Sequence, residues 1–357
     1  MIINPSAQIT EDVRVALLSA LERVPFLKVL SVEKEKRLPL GREVDLLVRV
    51  QYKGQELPIV VETKTFGEPG RIRPAIYSLQ AIANSADMQA YPIFGGPFLT
   101  ERSQQLCTEA GVGFIDLAGN CRLVIDDAIF IERTGQPNTQ IERKPLRTVF
   151  SAKASRVIRK LLCYPKKDWS PLELAKAVSI SPALVTRIKQ KLVDMEYLST
   201  ESKGMKLRNP ELVLNEWKKF YSYQDNERLE CYAPDSLPET EKEIANYCLQ
   251  TGIDYGITMF TAANRLEPFV RGVQRLFCYV NDDLNSVRKA LNWKTVASGA
   301  NVVLLKPYDE GVLYDQQTID DLELVNNVQL YLDLCSNKGR GEEAAVLILE
   351  RRLQPTW

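Results

Sequence analysis

Asp45, Glu62 and Lys64 are the residues in this 357-residue chain whose types and spacing point most directly to chemistry. Glu62 and Lys64 stand two apart in Leu57-Pro-Ile-Val-Val-Glu-Thr-Lys-Thr, a strand-like run, so both point to one face. Asp45 lies in a second such run, Gly41-Arg-Glu-Val-Asp-Leu-Leu-Val-Arg-Val, and Lys53-Gly54 between the two is a turn signal. A two-residue loop there sets Tyr52 against Gln55 and brings Asp45 opposite Glu62. A four-residue loop sets Asp45 opposite Lys64 instead, and a three-residue loop separates the charges. In either of the first two cases three charges share a face. Two converging carboxylates suit Mg²⁺, a hard cation that prefers oxygen ligands. The metal could polarise a phosphodiester and lower the pKa of a bound water, with Lys64 orienting that water or stabilising the developing charge. The expected catalytic set is therefore Asp45, Glu62 and Lys64, with Asp45 and Glu62 as metal ligands. The chain has no histidine. That excludes Ser-His-Asp and Cys-His catalysis, histidine-ligated zinc and haem ligation by histidine.

The elements that must position these residues follow from the pattern around them. Residues 9–24 read as an amphipathic helix with Val13, Leu17, Leu18 and Leu21 among its apolar positions. After the hairpin come a helix at 73–84, the strand Tyr91-Pro-Ile-Phe, a helix at 100–110, the strand Gly113-Phe-Ile-Asp-Leu and further strand to about 131. Helix, hairpin, helix, strand, helix, strand is an α/β pattern around one sheet. Over residues 9–132 it resembles the PD-(D/E)xK restriction-endonuclease-like fold. Asp45 and Glu62-Thr63-Lys64 fit that motif, with Val44 where its name has proline. The resemblance implies Glu22, on the first helix, as an accessory acid.

Net charge is zero, 46 basic against 46 acidic residues, but its distribution is uneven. Residues 1–140 carry net −2, 141–210 carry +10 and 211–357 carry −8. A basic block of that size suits a polyanion. Within it, a helix holding Val157, Ile158, Leu161 and Leu162 stops before Pro165. Ser170-Pro171 then opens a second helix to Val178, and Ser181-Pro182 opens a third to about Asp194. Val185, Ile188 and Leu192 form the packed face of the third helix. Its opposite face presents Ala183, Thr186, Arg187 and Gln190. Arginine can bind guanine bidentately, glutamine adenine, and Ala or Thr a thymine methyl. The helix start at Ser181 favours a phosphate. The stretch 197–208 reads as strand, Lys203-Gly204 turn, strand, projecting Lys203, Lys206 and Arg208. Residues 148–209 resemble the winged-helix domains of bacterial transcription regulators, which implies double-stranded DNA as partner through Ser181, Thr186, Arg187, Gln190, Lys203 and Lys206.

Residues 133–147 are polar with two prolines and read as an interdomain connection, and 226–241 is a second boundary candidate. Beyond it a helix at 240–250, the apolar segment 255–261, strands at 275–280 and 300–305, and helices at 284–291, 327–335 and 341–353 give an α/β or α+β block. In order, Phe114-Ile-Asp-Leu-Ala-Gly-Asn, the winged helix, Ser298-Gly-Ala-Asn-Val, Lys306-Pro-Tyr-Asp-Glu-Gly-Val and Gln329-Leu-Tyr-Leu-Asp-Leu resemble the AbiEi-type antitoxins and transcriptional regulators of type IV toxin–antitoxin systems. The resemblance implies a regulator that represses its own promoter, with a C-terminal domain that neutralises a nucleotidyltransferase toxin. The simplest members begin with the winged helix, whereas here a nuclease-like block precedes it.

The expected architecture is a multidomain α/β and α+β chain. A restriction-endonuclease-like domain occupies 1–135, a winged helix-turn-helix 148–210 and an AbiEi-like α/β domain 226–357. The expected function is DNA-binding transcriptional regulation. The alternative is a Mg²⁺-dependent DNA endonuclease targeted by the winged helix, and a third reading is a protein-interaction module whose basic block answers an acidic partner. Seven widely spaced cysteines without a C-x-x-C suggest small buried hydrophobes in a reducing compartment. No secretory signal pattern and no apolar stretch near ~20 residues occur, so the expected location is cytoplasmic, away from membranes.

Overall fold

The computed structural model describes residues 5–38, 42–85, 89–125, 129–136, 149–268 and 272–357. The chain forms two compact units, Met1–Lys144 with Asp194–Glu196, and Pro145–Val193 with Tyr197–Trp357. Most of the polar connector at 133–147 lies outside the described residues. Among those residues no helix is long and apolar enough to cross a membrane.

The first unit is a seven-stranded sheet in sequence order. Its elements are α1 (Pro5–Glu22), β1 (Leu27–Arg37), β2 (Glu43–Tyr52), β3 (Gln55–Thr63), α2 (Pro69–Ala83), β4 (Tyr91–Gly96), α3 (Glu101–Glu109), β5 (Gly113–Asp116), β6 (Cys121–Ile125) and β7 (Ile129–Arg133). Strands β3, β4 and β5 run parallel and the other pairs antiparallel. Strand alternation supplies two apolar faces, and each is covered. Val13, Leu17 and Leu21 of α1 close over Leu46, Val48, Ile59 and Val61. Ile72, Ile76 and Leu79 of α2 and Leu106 of α3 close over Leu47, Val60, Phe94 and Phe114. Lys53 and Gly54, at φ 48° and 84°, make the two-residue hairpin turn, and Tyr52 pairs with Gln55. Positive φ at both positions is what a tight hairpin of this twist requires.

Strand β1 was not expected. Its sequence ends in Val-Glu-Lys-Glu-Lys-Arg, which lacks a clean apolar face, because β1 pairs on one side only and carries its charges at the sheet edge. Helix α2 begins four residues before the expected 73, since Pro69 suits its first turn.

The second unit contains α4 (Ala152–Cys163), α5 (Pro171–Ala177), α6 (Pro182–Asp194), α7 (Pro210–Lys218), β8 (Glu227–Tyr232), α8 (Leu237–Thr251), β9 (Tyr255–Thr258), α9 (Met259–Leu266), β10 (Leu276–Val280), α10 (Leu284–Ala290), β11 (Lys294–Thr295), β12 (Val302–Lys306), β13 (Gln317–Ile319), β14 (Leu322–Leu324), α11 (Asn327–Cys335) and α12 (Arg340–Ile348). Its sheet has the order β11-β8-β12-β10-β9-β14-β13. Within the boundary candidate 226–241, β8 belongs to this sheet, paired with β12 and β11. Apart from Asp194–Glu196, the segments 148–210 and 226–357 both fall in the second unit, and α7 between them buries Val213, Leu214 and Trp217. The expected strand–turn–strand after α6 is reduced to one isolated bridge, Leu198↔Leu207, and a second bridge, Trp169↔Met205, ties its later arm to the residue before Ser170. All seven cysteines are free, five of them buried.

Candidate functional sites

In the first unit the hairpin ladder runs from Tyr52↔Gln55 to Leu46↔Val61, so Asp45 and Glu62 are the next residues on either side. Asp45 does not stay squarely opposite Glu62. Its Oδ2 accepts from the Thr63 backbone N–H at 2.6 Å and from the Thr63 hydroxyl at 2.9 Å. The Thr63 hydroxyl also meets that of Thr10 on α1, at 2.6 Å. Glu62 forms an ion pair with Lys64. Burial pushes the Glu62 carboxyl up, the Lys64 bond opposes that, and the nearby Asp45 charge adds to the rise. Glu62 and Lys64 thus meet directly, whereas Asp45 bonds to the intervening Thr63 and acts on Glu62 as a nearby charge. Lys64 and Glu62 remain 34% and 22% exposed, open enough to meet a ligand.

Glu22 is not part of this site. The α1 residue at the site is Thr10, and Glu22 lies twelve residues further along, roughly 18 Å by helical rise. Glu11, next to Thr10, is paired with Arg14 and Lys34. Thr63 was not expected among the contacts of Asp45. The middle position of the Glu-Thr-Lys triplet carries no charge, and its role rests on a long-range contact. Among the described residues no group of three acids or cysteines could hold a metal.

In the second unit Ser170 caps α5 by accepting from the Glu173 N–H at 3.2 Å, and Ser181 caps α6 by accepting from the Leu184 N–H at 3.3 Å. Between them Ser179 turns the chain at φ 52°. On α6, Val185, Ile188 and Leu192 are buried, while Ser181, Ala183, Thr186, Arg187 and Gln190 are exposed. Lys203 is exposed and Lys206 half-buried. The Thr186 hydroxyl donates to the Pro182 carbonyl at 3.0 Å, which leaves its oxygen as an acceptor and its methyl exposed.

The basic block presents fewer outward charges than its sequence suggests. Arg156, Arg159 and Lys160 on α4 turn inward. Arg156 forms a bidentate pair with Asp309, both bonds at 2.7 Å, and also meets Glu310. Lys160 pairs with Asp315. Arg159 is 1% exposed and donates to Gln329 at 2.7 Å and to the Tyr308 hydroxyl at 3.2 Å. Three of the counted cations are therefore neutralised or enclosed by the acidic C-terminal segment. Sequence spacing alone gives no sign of these partners, which are about 150 residues away.

Residues 206–354, under half of the chain, match the family described as "Transcriptional regulator, AbiEi antitoxin, Type IV TA system". No curated protein matches the chain. Two solved structures are similar over part of it. One is a repair endonuclease from Pyrococcus abyssi, 18% identical, covering 29% of this chain and 46% of that one at a TM-score of 0.21. The other is EndoMS in apo form, 20% identical, covering 30% of this chain and 45% of that one at a TM-score of 0.21. The chain thus spans less than half the length of either.

Proposed function

We propose that the protein is a DNA-binding transcriptional regulator of antitoxin type, reading double-stranded DNA with α6 as the recognition helix of a winged helix-turn-helix and with 197–208 as its wing. The observation that carries this reading is the exposed set on α6. Arg187, Gln190 and the Thr186 methyl stand opposite the buried Val185-Ile188-Leu192 stripe, at the spacing that faces a groove. The family match over 206–354 supports the regulatory role and, through it, a toxin as partner of the C-terminal part, which we take to be a nucleotidyltransferase on the sequence resemblance alone. Phosphate contact falls to Ser181 at the start of α6 and to Lys203, Lys206 and Arg208. The test is the salt dependence of binding to the DNA upstream of its own gene. With Lys203, Lys206 and Arg208 on phosphates and Arg187 on a base, the slope of log K against log salt is about −3 per protomer, where an outward +10 would give about −9. Lys203→Ala should reduce the slope by about 1. No detectable binding at low salt would overturn the proposal.

A second reading, a Mg²⁺-dependent DNA endonuclease, is favoured by the convergence of Asp45, Glu62 and Lys64 at the open end of the hairpin. The donor set fits the ion: carboxylate oxygens, partly exposed, with Glu62 free to exchange Lys64 for a metal. Bound there, Mg²⁺ would supply Lewis-acid activation of a phosphodiester. This chain's own part is to hold Asp45 through Thr63 and to keep a lysine charge beside the phosphate.

A further inference from the structure

Asp45 is held from outside its own hairpin. Among the described residues both hydrogen bonds to its carboxylate fall on Oδ2, from the Thr63 backbone N–H at 2.6 Å and the Thr63 hydroxyl at 2.9 Å, and none falls on Oδ1. The Thr63 side chain is buried and has little room to turn. A Cβ added at Gly95 on β4 would lie 3.3 Å from Thr63 Cγ2 and 2.6 Å from Val13 Cγ1 on α1, so strand and helix close around the residue. Its hydroxyl lies 2.6 Å from that of Thr10, also on α1.

Proton counting gives this chain of hydroxyls a direction. Each threonine hydroxyl has one proton to give and lone pairs to accept. Two hydroxyl oxygens 2.6 Å apart hold a proton between them. Thr63 reaches Thr10 and Asp45, while Thr10 reaches Thr63 and, at 3.1 Å, the Ser6 carbonyl. If Thr10 gives its proton to Ser6, Thr63 must turn its own toward Thr10, and Asp45 loses the hydroxyl bond. If Thr10 donates to Thr63, the Thr63 proton goes to the carboxylate. A hydrogen bond to an ionised group is roughly twice as strong as one between neutral groups, so the second arrangement prevails.

We propose that Thr10 and Thr63 are positioning residues for a divalent cation at Asp45 and Glu62. Thr10 directs the Thr63 hydroxyl onto Oδ2, and the carboxylate so held keeps Oδ1 for the ion. The inference rests on the second reading above, in its metal-binding part alone. It makes α1 a component of the site although the helix supplies no ligand. Partners that hydrogen-bond a metal ligand fix its orientation, and losing one costs about 10–100-fold in metal affinity.

The probe is Mn²⁺ alone, titrated into the full chain and followed by loss of the free-ion electron paramagnetic resonance signal. The variants are Thr63→Val, Thr10→Val, Thr10→Ser and the double valine, with Asp45→Asn as the control for the site. Circular dichroism and the thermal midpoint check the fold. Wild type is expected to bind Mn²⁺ and Asp45→Asn to lose it. Thr63→Val should weaken binding about tenfold. Thr10→Val should weaken it less, and Thr10→Ser should restore the wild-type value. The double valine should be no worse than Thr63→Val, because the hydroxyl that Thr10 directs is already gone. A merely structural role would lower the thermal midpoint and leave Mn²⁺ affinity unchanged. If wild type binds through Asp45 and Thr63→Val binds equally well, if the two losses add, or if serine at position 10 restores nothing, the positioning role is overturned while the metal site stands. If wild type binds no Mn²⁺, or Asp45→Asn binds as well as wild type, the metal site fails and the positioning role with it. Should Thr63→Val fold poorly, the valine and serine variants of half-buried Thr10 decide alone.

Discussion

Replacing Asp333 with asparagine should change how stability depends on pH, by an amount set by the buried network behind α4. Asp333 is fully buried, and burial pushes its carboxyl from 3.8 up to about 6. Hydrogen bonds from Thr258, Tyr221, Tyr279 and Gln329 pull the other way and do not overcome it. Gln329 links this carboxylate to Arg159. In the unfolded chain the group titrates near its ordinary value, so the folded protein binds this proton more tightly by roughly 2 pK units, or about 3 kcal/mol. Because the folded pKa of an acid is raised, the contribution is complete below about pH 4. It declines as the pH rises from there to about 6 and is absent above. Asparagine does not titrate there. Its amide oxygen can accept from Tyr221 and Tyr279 while its amide nitrogen donates to the Thr258 hydroxyl, which leaves the network satisfiable. Urea unfolding of both proteins between about pH 4 and pH 7, followed through buried Trp217 and Trp293, measures the difference directly. Wild type should lose about 3 kcal/mol relative to Asp333→Asn across that range. Parallel curves would refute the reasoning about a desolvated, network-held carboxylate.

Other expectations concern separate features. Arg156→Met strands Asp309 in a site where both partners are nearly enclosed, and should cost about 3–5 kcal/mol in urea unfolding. Adding Asp309→Leu should recover most of that loss, and a single variant as stable as wild type would contradict the pairing. At Gly204 an added Cβ would lie 2.3 Å from Asp168 Oδ1 and 2.5 Å from the Trp169 carbonyl oxygen. Gly204→Ala should therefore cost about 1–3 kcal/mol and open the Trp169–Met205 bridge, which thermal unfolding would register. If the second reading holds, purified protein with Mg²⁺ or Mn²⁺ nicks plasmid DNA and Lys64→Ala does not. Equal nicking by both would identify a contaminant.

What could be read from the sequence depended on how local the cause was. Lys53-Gly54 marked the hairpin turn but left its length open, and the two-residue turn in the structure decides every pair behind it. The caps Ser170 and Ser181 followed from Ser-Pro pairs that act within one turn. Asp45 was expected opposite Glu62 or Lys64, yet its hydrogen bonds to Thr63 and the approach of Thr10 depend on how α1 crosses the sheet. Strand β1 was hidden by charges that suit an edge. The distinctive phrases Lys306-Pro-Tyr-Asp-Glu-Gly-Val and Gln329-Leu-Tyr-Leu-Asp-Leu had no derivable chemistry in one dimension. In three they supply Tyr308, Asp309, Glu310, Gln329 and Asp333, the groups that enclose Arg156 and Arg159. Counting charge along the chain therefore overstated the cationic surface, since ion pairs about 150 residues apart leave no local pattern.

The most direct test of the account is a footprint of the full-length protein on the DNA upstream of its own gene, with Arg187→Ala in parallel. The account predicts a protected segment for wild type. In the variant that protection should disappear at the same concentration, while weak, sequence-indifferent binding persists. Identical protection by the two proteins would contradict base reading by α6.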